Sequence, residues 1–303
     1  MVSVFNAFAT AVFPILVIAG TGYVLGRVKK LDPKPIATVT IYVLTPVLVY
    51  HSLVTTKIGG EEGAKIVAVS IVMTVVMWGM AKTVGLFRDG GPEFELAAAF
   101  PNTANYGIPL SAFAFPSLGK STAVLYVVGS TVMMYTVGIY IISKGSSILE
   151  SGKQVFRLPL IYAVGLAALT RAVDLQLPPE HLGTLGLVGN SAIPLMLLVL
   201  GMQVSDTRPS RSLKKVGDIN ITRLVLAPIA AVPVAILAGF SDPAVAKVVV
   251  LESSMPVAVT TLIFAIEFER DREYAAAAIV TTTLLSIFTV TGLITLLKSG
   301  FLL

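Results

Sequence analysis

Apolar residues run through this chain in stretches of about twenty, and charged or turn-forming residues gather in the short gaps between them. A helix rises about 1.5 Å per residue, so about 20 apolar residues reach across the roughly 30 Å of a bilayer's hydrocarbon. The pattern predicts helices at Val4 to Gly26, Ile36 to Thr56, Ile66 to Phe87, Leu96 to Phe115, Ser121 to Ser143, Leu158 to Val173, Leu182 to Val204, Thr222 to Phe240, Pro243 to Ile266 and Tyr274 to Leu297. The sixth is short and meets Arg171 and Asp174 early. The first follows no basic segment and outruns a signal-peptide core, so it reads as a retained span.

Composition sharpens this into an all-α integral membrane protein. Hydrophobic residues make up 55% of 303 and charged residues only 13%, more apolar surface than a soluble domain of this size can hide. The absence of cysteine removes disulfides and thiolate metal sites, and His51 and His181 are too few for a histidine-built centre. A net charge of +5 does not make a nucleic-acid surface here, because Lys and Arg are scattered between apolar runs.

The scattered charges report topology instead. Cytoplasmic loops carry excess Lys and Arg. With ten spans, the odd-numbered loops hold 16 of the 22 basic residues, among them Arg27, Lys29, Lys30, Lys34, Lys82, Arg88, Lys144, Lys153, Arg157, Arg208, Arg211, Lys214, Lys215, Arg223, Arg270 and Arg272. Both termini are therefore expected outside a cell membrane, with Ser205 to Asn220 a basic cytoplasmic linker.

The two halves of the chain resemble each other. Thr45-Pro46 recurs as Ile193-Pro194 at an offset of 148, and Tyr106-Gly107-Ile108-Pro109 recurs as Ser253-Ser254-Met255-Pro256 at 147. Five spans per half, an odd number, turn the second copy upside down, an arrangement in which transporters place the site between repeats. The expected division is 1–143 for the first five-helix repeat, 144–156 for a linker and 157–303 for the second repeat.

The polar chemistry sits in the fourth and ninth helices. Phe100-Pro101-Asn102-Thr103-Ala104-Asn105-Tyr106-Gly107-Ile108-Pro109 breaks a span at its middle, because proline removes an amide donor and glycine permits unusual backbone angles. Such breaks are tolerated in a membrane only where protein or a wet cavity satisfies the backbone, and they aim free amides and carbonyls at the gap. In the ninth helix Glu252 lies inside an apolar run, where a carboxylate costs about 2.5–3.5 kcal/mol and marks a functional site by default. At the offset of 147 it falls opposite Asn105, and it is expected either to ligate Na⁺ or to carry a proton. Asn190 and Ser191, just before Pro194, are expected to face a substrate; Ser130, Thr131 and Tyr135, with Thr260 and Thr261, are candidates to complete an ion site. The histidines and Trp78 read as interfacial or packing residues.

Asn102-x-x-Asn105-Tyr106-Gly107-Ile108-Pro109, Pro46 after Tyr42-Val43-Leu44, Leu185-Gly186 through Pro194-Leu195 to Leu200-Gly201, and Met255-Pro256 together resemble the auxin efflux carrier family in its short prokaryotic form. The resemblance spans essentially the whole chain. That family is similar in fold to the bile acid/sodium symporters, which implies ten helices in two inverted five-helix repeats. It implies a scaffold of helices 1, 2, 6 and 7, a mobile transport domain of helices 3–5 and 8–10, and helices 4 and 9 crossing at Pro109 and Pro256. An elevator-like movement, an organic-anion substrate such as an indole acid or a dicarboxylate, and a homodimer are further implications. The substrate set is then Asn102, Asn105, Tyr106, Pro109, Pro256, Asn190 and Ser191. The ion-coupling set is Glu252, Asn105, Ser253, Met255, Ser130 and Thr131. Glu252-x-x-Met255 looks like the sodium-ligating stretch of the symporters, but Pro256 stands where they carry glutamine.

The expected activity is secondary transport of an organic anion, coupled to Na⁺ or H⁺ or driven by the membrane potential, with the bilayer and a small anion as partners and no nucleic acid. A sodium symporter of the bile acid type is the alternative; an intramembrane enzyme or a channel is less favoured. The chain has no Walker A pattern, and Glu252 alone does not make an enzyme site.

Overall fold

The computed structural model of the protein describes residues 3–87, 90–143, 151–206 and 213–301. The described residues form helices and no strand. In chain order the helices are α1 (Val4–Lys29), α2 (Lys34–Thr55), α3 (Gly60–Phe87), α4a (Pro92–Ala99), α4b (Ile108–Ala114), α5 (Gly119–Ile142), α6 (Pro159–Ala172), α7 (Pro179–Ser205), α8 (Val216–Ala238), α9a (Pro243–Ser253), α9b (Thr260–Glu267) and α10 (Arg272–Ser299). Among them seven are long and apolar enough to cross a membrane: α1, α2, α3, α5, α7, α8 and α10. Helix α6 is apolar but shorter, as Arg171 and Asp174 require, and the fourth and ninth apolar runs are each split in two.

Prolines explain four of the five places where the described helices loosen. Wide π turns occupy Phe8–Val12, Thr40–Leu44, Thr103–Gly107 and Thr222–Leu226, besides one at Met134–Gly138 that no proline follows. The first four each end two residues before a proline: Pro14, Pro46, Pro109 and Pro228. A proline ring collides with the carbonyl four residues back and supplies no amide for it; widening that turn moves the carbonyl aside. The helix therefore continues with a local bend rather than stopping.

Two sets of helices pack closely among themselves. In the first, α1 lies along α7, and α2 packs against α6 and the N-terminal part of α7. The α1–α7 approach depends on glycine: a Cβ added at Gly201 would lie 1.8 Å from the Ala19 carbonyl oxygen, and one at Gly22 would lie 2.2 Å from that of Leu198. Small residues let membrane helices come this close, and dispersion over the contact holds them. In the second set α3 packs on α5 and α4a, α8 on α9a and α10, α9a on α5, and α9b on α10. Phe13, Ile229, Leu237 and Phe288 stay exposed on the outer faces, where apolar side chains suit a lipid surround.

The basic linker is shorter than its sequence implies. Helix continues to Asp206 and resumes at Leu213, with residues 207–212 outside the described part. Arg223, counted with the basic residues of that loop although the expected helix begins at Thr222, lies inside α8 with 0% of its surface exposed. The charge count grouped it with Lys214 and Lys215 of the loop; a tertiary partner set, described below, holds it within the helix. Arg88, Lys144, Arg208 and Arg211 of the expected basic loops, and residues 144–150 of the linker between the halves, lie outside the described residues.

Candidate functional site

The two interrupted helices meet at their breaks and pair there through backbone. Pro101 and Val257 form an antiparallel bridge, in which the Asn102 amide donates to the Pro256 carbonyl at 2.7 Å and the Ala258 amide donates to the Phe100 carbonyl at 3.0 Å. The Val257 amide donates to Thr282 Oγ1 of α10 at 3.1 Å. Unwound backbone at depth in an apolar bundle thus finds protein partners, as it must where water is scarce. The backbone pairing between the two breaks is at Pro101 and Val257. Pro109 is buried in the first turn of α4b, where its missing amide is harmless, and the Pro256 carbonyl serves the bridge.

Helices α4a and α9a both end at the crossing, and their last carbonyls converge. A helix C-terminus leaves carbonyls without amide partners and carries partial negative charge. The Arg223 guanidinium meets both ends. It donates to the Ala98 carbonyl at 3.0 Å, to that of Ser253 at 2.7 Å and to that of Met255 at 2.9 Å. Its planar, permanently charged fork is suited to several oxygens at once, which offsets the loss of hydration that burial imposes.

Glu252 is equally buried, at 0% exposure. Ser111 Oγ donates to its Oε1 at 2.6 Å, while Oε2 has no hydrogen-bond partner. That free oxygen rests against Gly107: a Cβ there would lie 2.1 Å from it, so only glycine leaves the carboxylate its place. Glu252 therefore faces Gly107 and Ser111, not Asn105. It forms no ion pair with Arg223. Next to it, Ser253 Oγ pairs with the Tyr126 hydroxyl at 2.9 Å.

A cavity of about 140 Å³ opens beside the bridge. Asn102, Asn105, Ser130, Thr131, Tyr135 and Thr260 line it from one helix set, and Thr45 and Met196 from the other. No Asp, Glu, Lys or Arg lines it. Asn102 is 3% exposed and its Nδ2 has no partner within the protein, which leaves a donor at the cavity wall free for a ligand.

The remaining sequence candidates go elsewhere. The Tyr106 hydroxyl accepts from Ser286 Oγ of α10 at 3.2 Å. Asn190 is exposed, and its Oδ1 accepts from Lys120 Nζ at 3.0 Å. Ser191 bonds the Val188 carbonyl of its own helix at 2.6 Å. Glu252, Ser253 and Met255 do not line the cavity; the Met255 carbonyl is one of those that Arg223 takes. Thr261 is fully buried with its hydroxyl unpartnered. Trp78 donates from Nε1 to Glu95 Oε2 at 2.6 Å, a packing role at the start of α4a. Arg223 is the residue that sequence reasoning missed, although an arginine directly before eighteen uncharged positions meets the same rule that singled out Glu252.

The sequence matches the family described as membrane transport protein over residues 7–155 and 147–294. A relative from Methanothermobacter thermautotrophicus, named "Uncharacterized transporter", is 28% identical over 94% of this chain and 96% of its own length. A second, from Rhizobium meliloti and named "Putative malonate transporter", is 25% identical over 88% of this chain and 87% of its own length.

Proposed function

This chain belongs to the membrane transport protein family, and from that premise we propose that it is a secondary carrier moving a small organic anion by alternating access. It is a transporter and not an enzyme, as its family and the names of its relatives indicate. In this reading α1, α2, α6 and α7 are a scaffold, and α3 to α5 with α8 to α10 are a transport unit that slides against it. Ten spans would then form two inverted repeats, with both termini on the side opposite the basic loops.

The observation that carries the reading is the position of the cavity. It lies between the two helix sets, at the break of the fourth helix, and both sets contribute to its wall. A solute held there changes sides when one set moves past the other. Asn102, Asn105, Ser130, Thr131 and Thr260 offer amide and hydroxyl donors, which suit a carboxylate. The volume of about 140 Å³ is well below the roughly 300–1,000 Å³ of drug-sized sites, so it favours a compact carboxylate such as malonate over an indole acid.

The test is uptake into proteoliposomes of labelled malonate, other short dicarboxylates and an indole acid. The expected result is saturable uptake of one short carboxylate, with trans-stimulation by the same solute inside. Asn102→Ala should raise the half-saturating concentration about tenfold, since it removes a hydrogen bond to a charged group worth about 1.5–3 kcal/mol. No labelled carboxylate crossing faster than in empty vesicles would overturn the reading.

A further inference from the structure

A metal cation bound at the crossing would draw on the carbonyl oxygens that the two half-helices turn toward it. Three of these, from Ala98, Ser253 and Met255, already accept hydrogen bonds from Arg223. Among the described residues no group of three or more His, Asp or Glu offers an alternative metal site. The residues present do not fit a sodium ion at this place: a side-chain cation fills it.

Two buried ionisable groups therefore share the crossing, and only one is permanently charged. The Arg223 guanidinium is held by carbonyls and by no carboxylate. Glu252 has one oxygen bonded by Ser111 and the other free. The titratable groups bonded to its chain neighbour Ser253 are Tyr126 from α5 and Arg223 from α8, and Tyr106, beside Gly107 in the chain, turns its hydroxyl to Ser286. The cavity is one peptide link further on. Arg223 holds the Met255 carbonyl, and the next carbonyl, of Pro256, holds the amide of Asn102, whose side chain forms the cavity wall.

Resting on the carrier reading above, we infer that Arg223 is the resident countercharge of the transport site, and that the Glu252 carboxylate and the substrate carboxylate alternate against it. With the cavity empty, ionised Glu252 balances Arg223. When an anion enters the uncharged cavity, one proton from solution joins Glu252, and Arg223 balances one carboxylate of the anion instead. On release the proton leaves with it. Each anion thus travels with one proton, and sodium has no place in the cycle. Arg223 acts through the crossing without touching the substrate, as a positioning residue.

The test uses the full chain in proteoliposomes, with labelled malonate outside and a pH-sensitive dye inside. Replacing sodium by choline should leave uptake within about twofold, and the lumen should gain about one proton per malonate. Glu252→Gln should lower proton-coupled net uptake about tenfold more than it lowers malonate exchange. Arg223→Gln keeps amide donors for the carbonyls but removes the charge; it should weaken malonate exchange about tenfold or more, and Arg223→Lys should restore most of it. Saturable stimulation by sodium, or proton entry unchanged in Glu252→Gln, would overturn the inference. Equal exchange in Arg223→Gln and Arg223→Lys would also overturn it, by reducing Arg223 to a cap. Should Arg223→Gln fail to fold, the sodium replacement and Glu252→Gln still decide. A wild-type protein that moves no carboxylate would remove the carrier reading itself, a distinguishable result.

Discussion

The seam between α1 and α7 and the crossing of the two broken helices both bring backbone against backbone, by opposite chemistry. At the seam Gly22 and Gly201 remove side chains, and what remains is close apolar contact. At the crossing the helices give up their own hydrogen bonds, and Arg223, Thr282 and a two-residue bridge replace them. A seam of the first kind has one good arrangement and resists sliding. A junction of the second kind is held by a few directed bonds around a fixed charge, and it can keep its shape while the unit that contains it moves. In the carrier reading proposed above, this is the difference between a scaffold and a working part.

The largest effect should come from breaking the crossing. Arg223→Ala leaves three buried carbonyls without donors, at about 1–3 kcal/mol each. Thermal unfolding in detergent should show a loss of several kcal/mol or no folded protein. Next is the seam, where Gly201→Val puts side-chain atoms into the Ala19 carbonyl and should cost about 1–3 kcal/mol by overpacking, read as a lower melting temperature. If its melting temperature fell as far as that of Arg223→Ala, the two junctions would not differ as described. The smallest effect on stability, with a large one on transport, is expected for Gly107→Ala. Its Cβ displaces the Glu252 carboxylate, so proton-coupled uptake should fall about tenfold while the melting temperature moves by only a few degrees.

Much of the frame was legible because bilayer thickness fixes the length of an apolar run. The short α6 announced itself through Arg171 and Asp174, and the interruptions through Pro101, Gly107 and Pro256. Rotation about the helices was not legible. The repeat offset matched Glu252 to Asn105, yet the carboxylate meets Gly107, two residues further on and about 200° round a helix. The bridge at Pro101 and Val257 depends on how two breaks settle together, which neither sequence segment specifies alone. Arg223 fell within the expected eighth helix but was counted with Lys214 and Lys215 as a loop charge, and the carbonyls that hold it come from residues 98, 253 and 255, far away in the sequence.

The central claim is that the cavity at the crossing is where the solute binds, and the chain suits a direct test because it has no cysteine. Asn105→Cys places one thiol in the wall of that cavity, and Ser117→Cys places one in a separate, larger cleft lined by Lys57, Glu61 and Lys120. The rate of maleimide labelling is measured in membranes with and without saturating malonate. The account predicts that malonate slows labelling at position 105 several-fold and leaves position 117 unchanged. Labelling at 105 that malonate does not slow, in a variant that still transports it, would contradict the account.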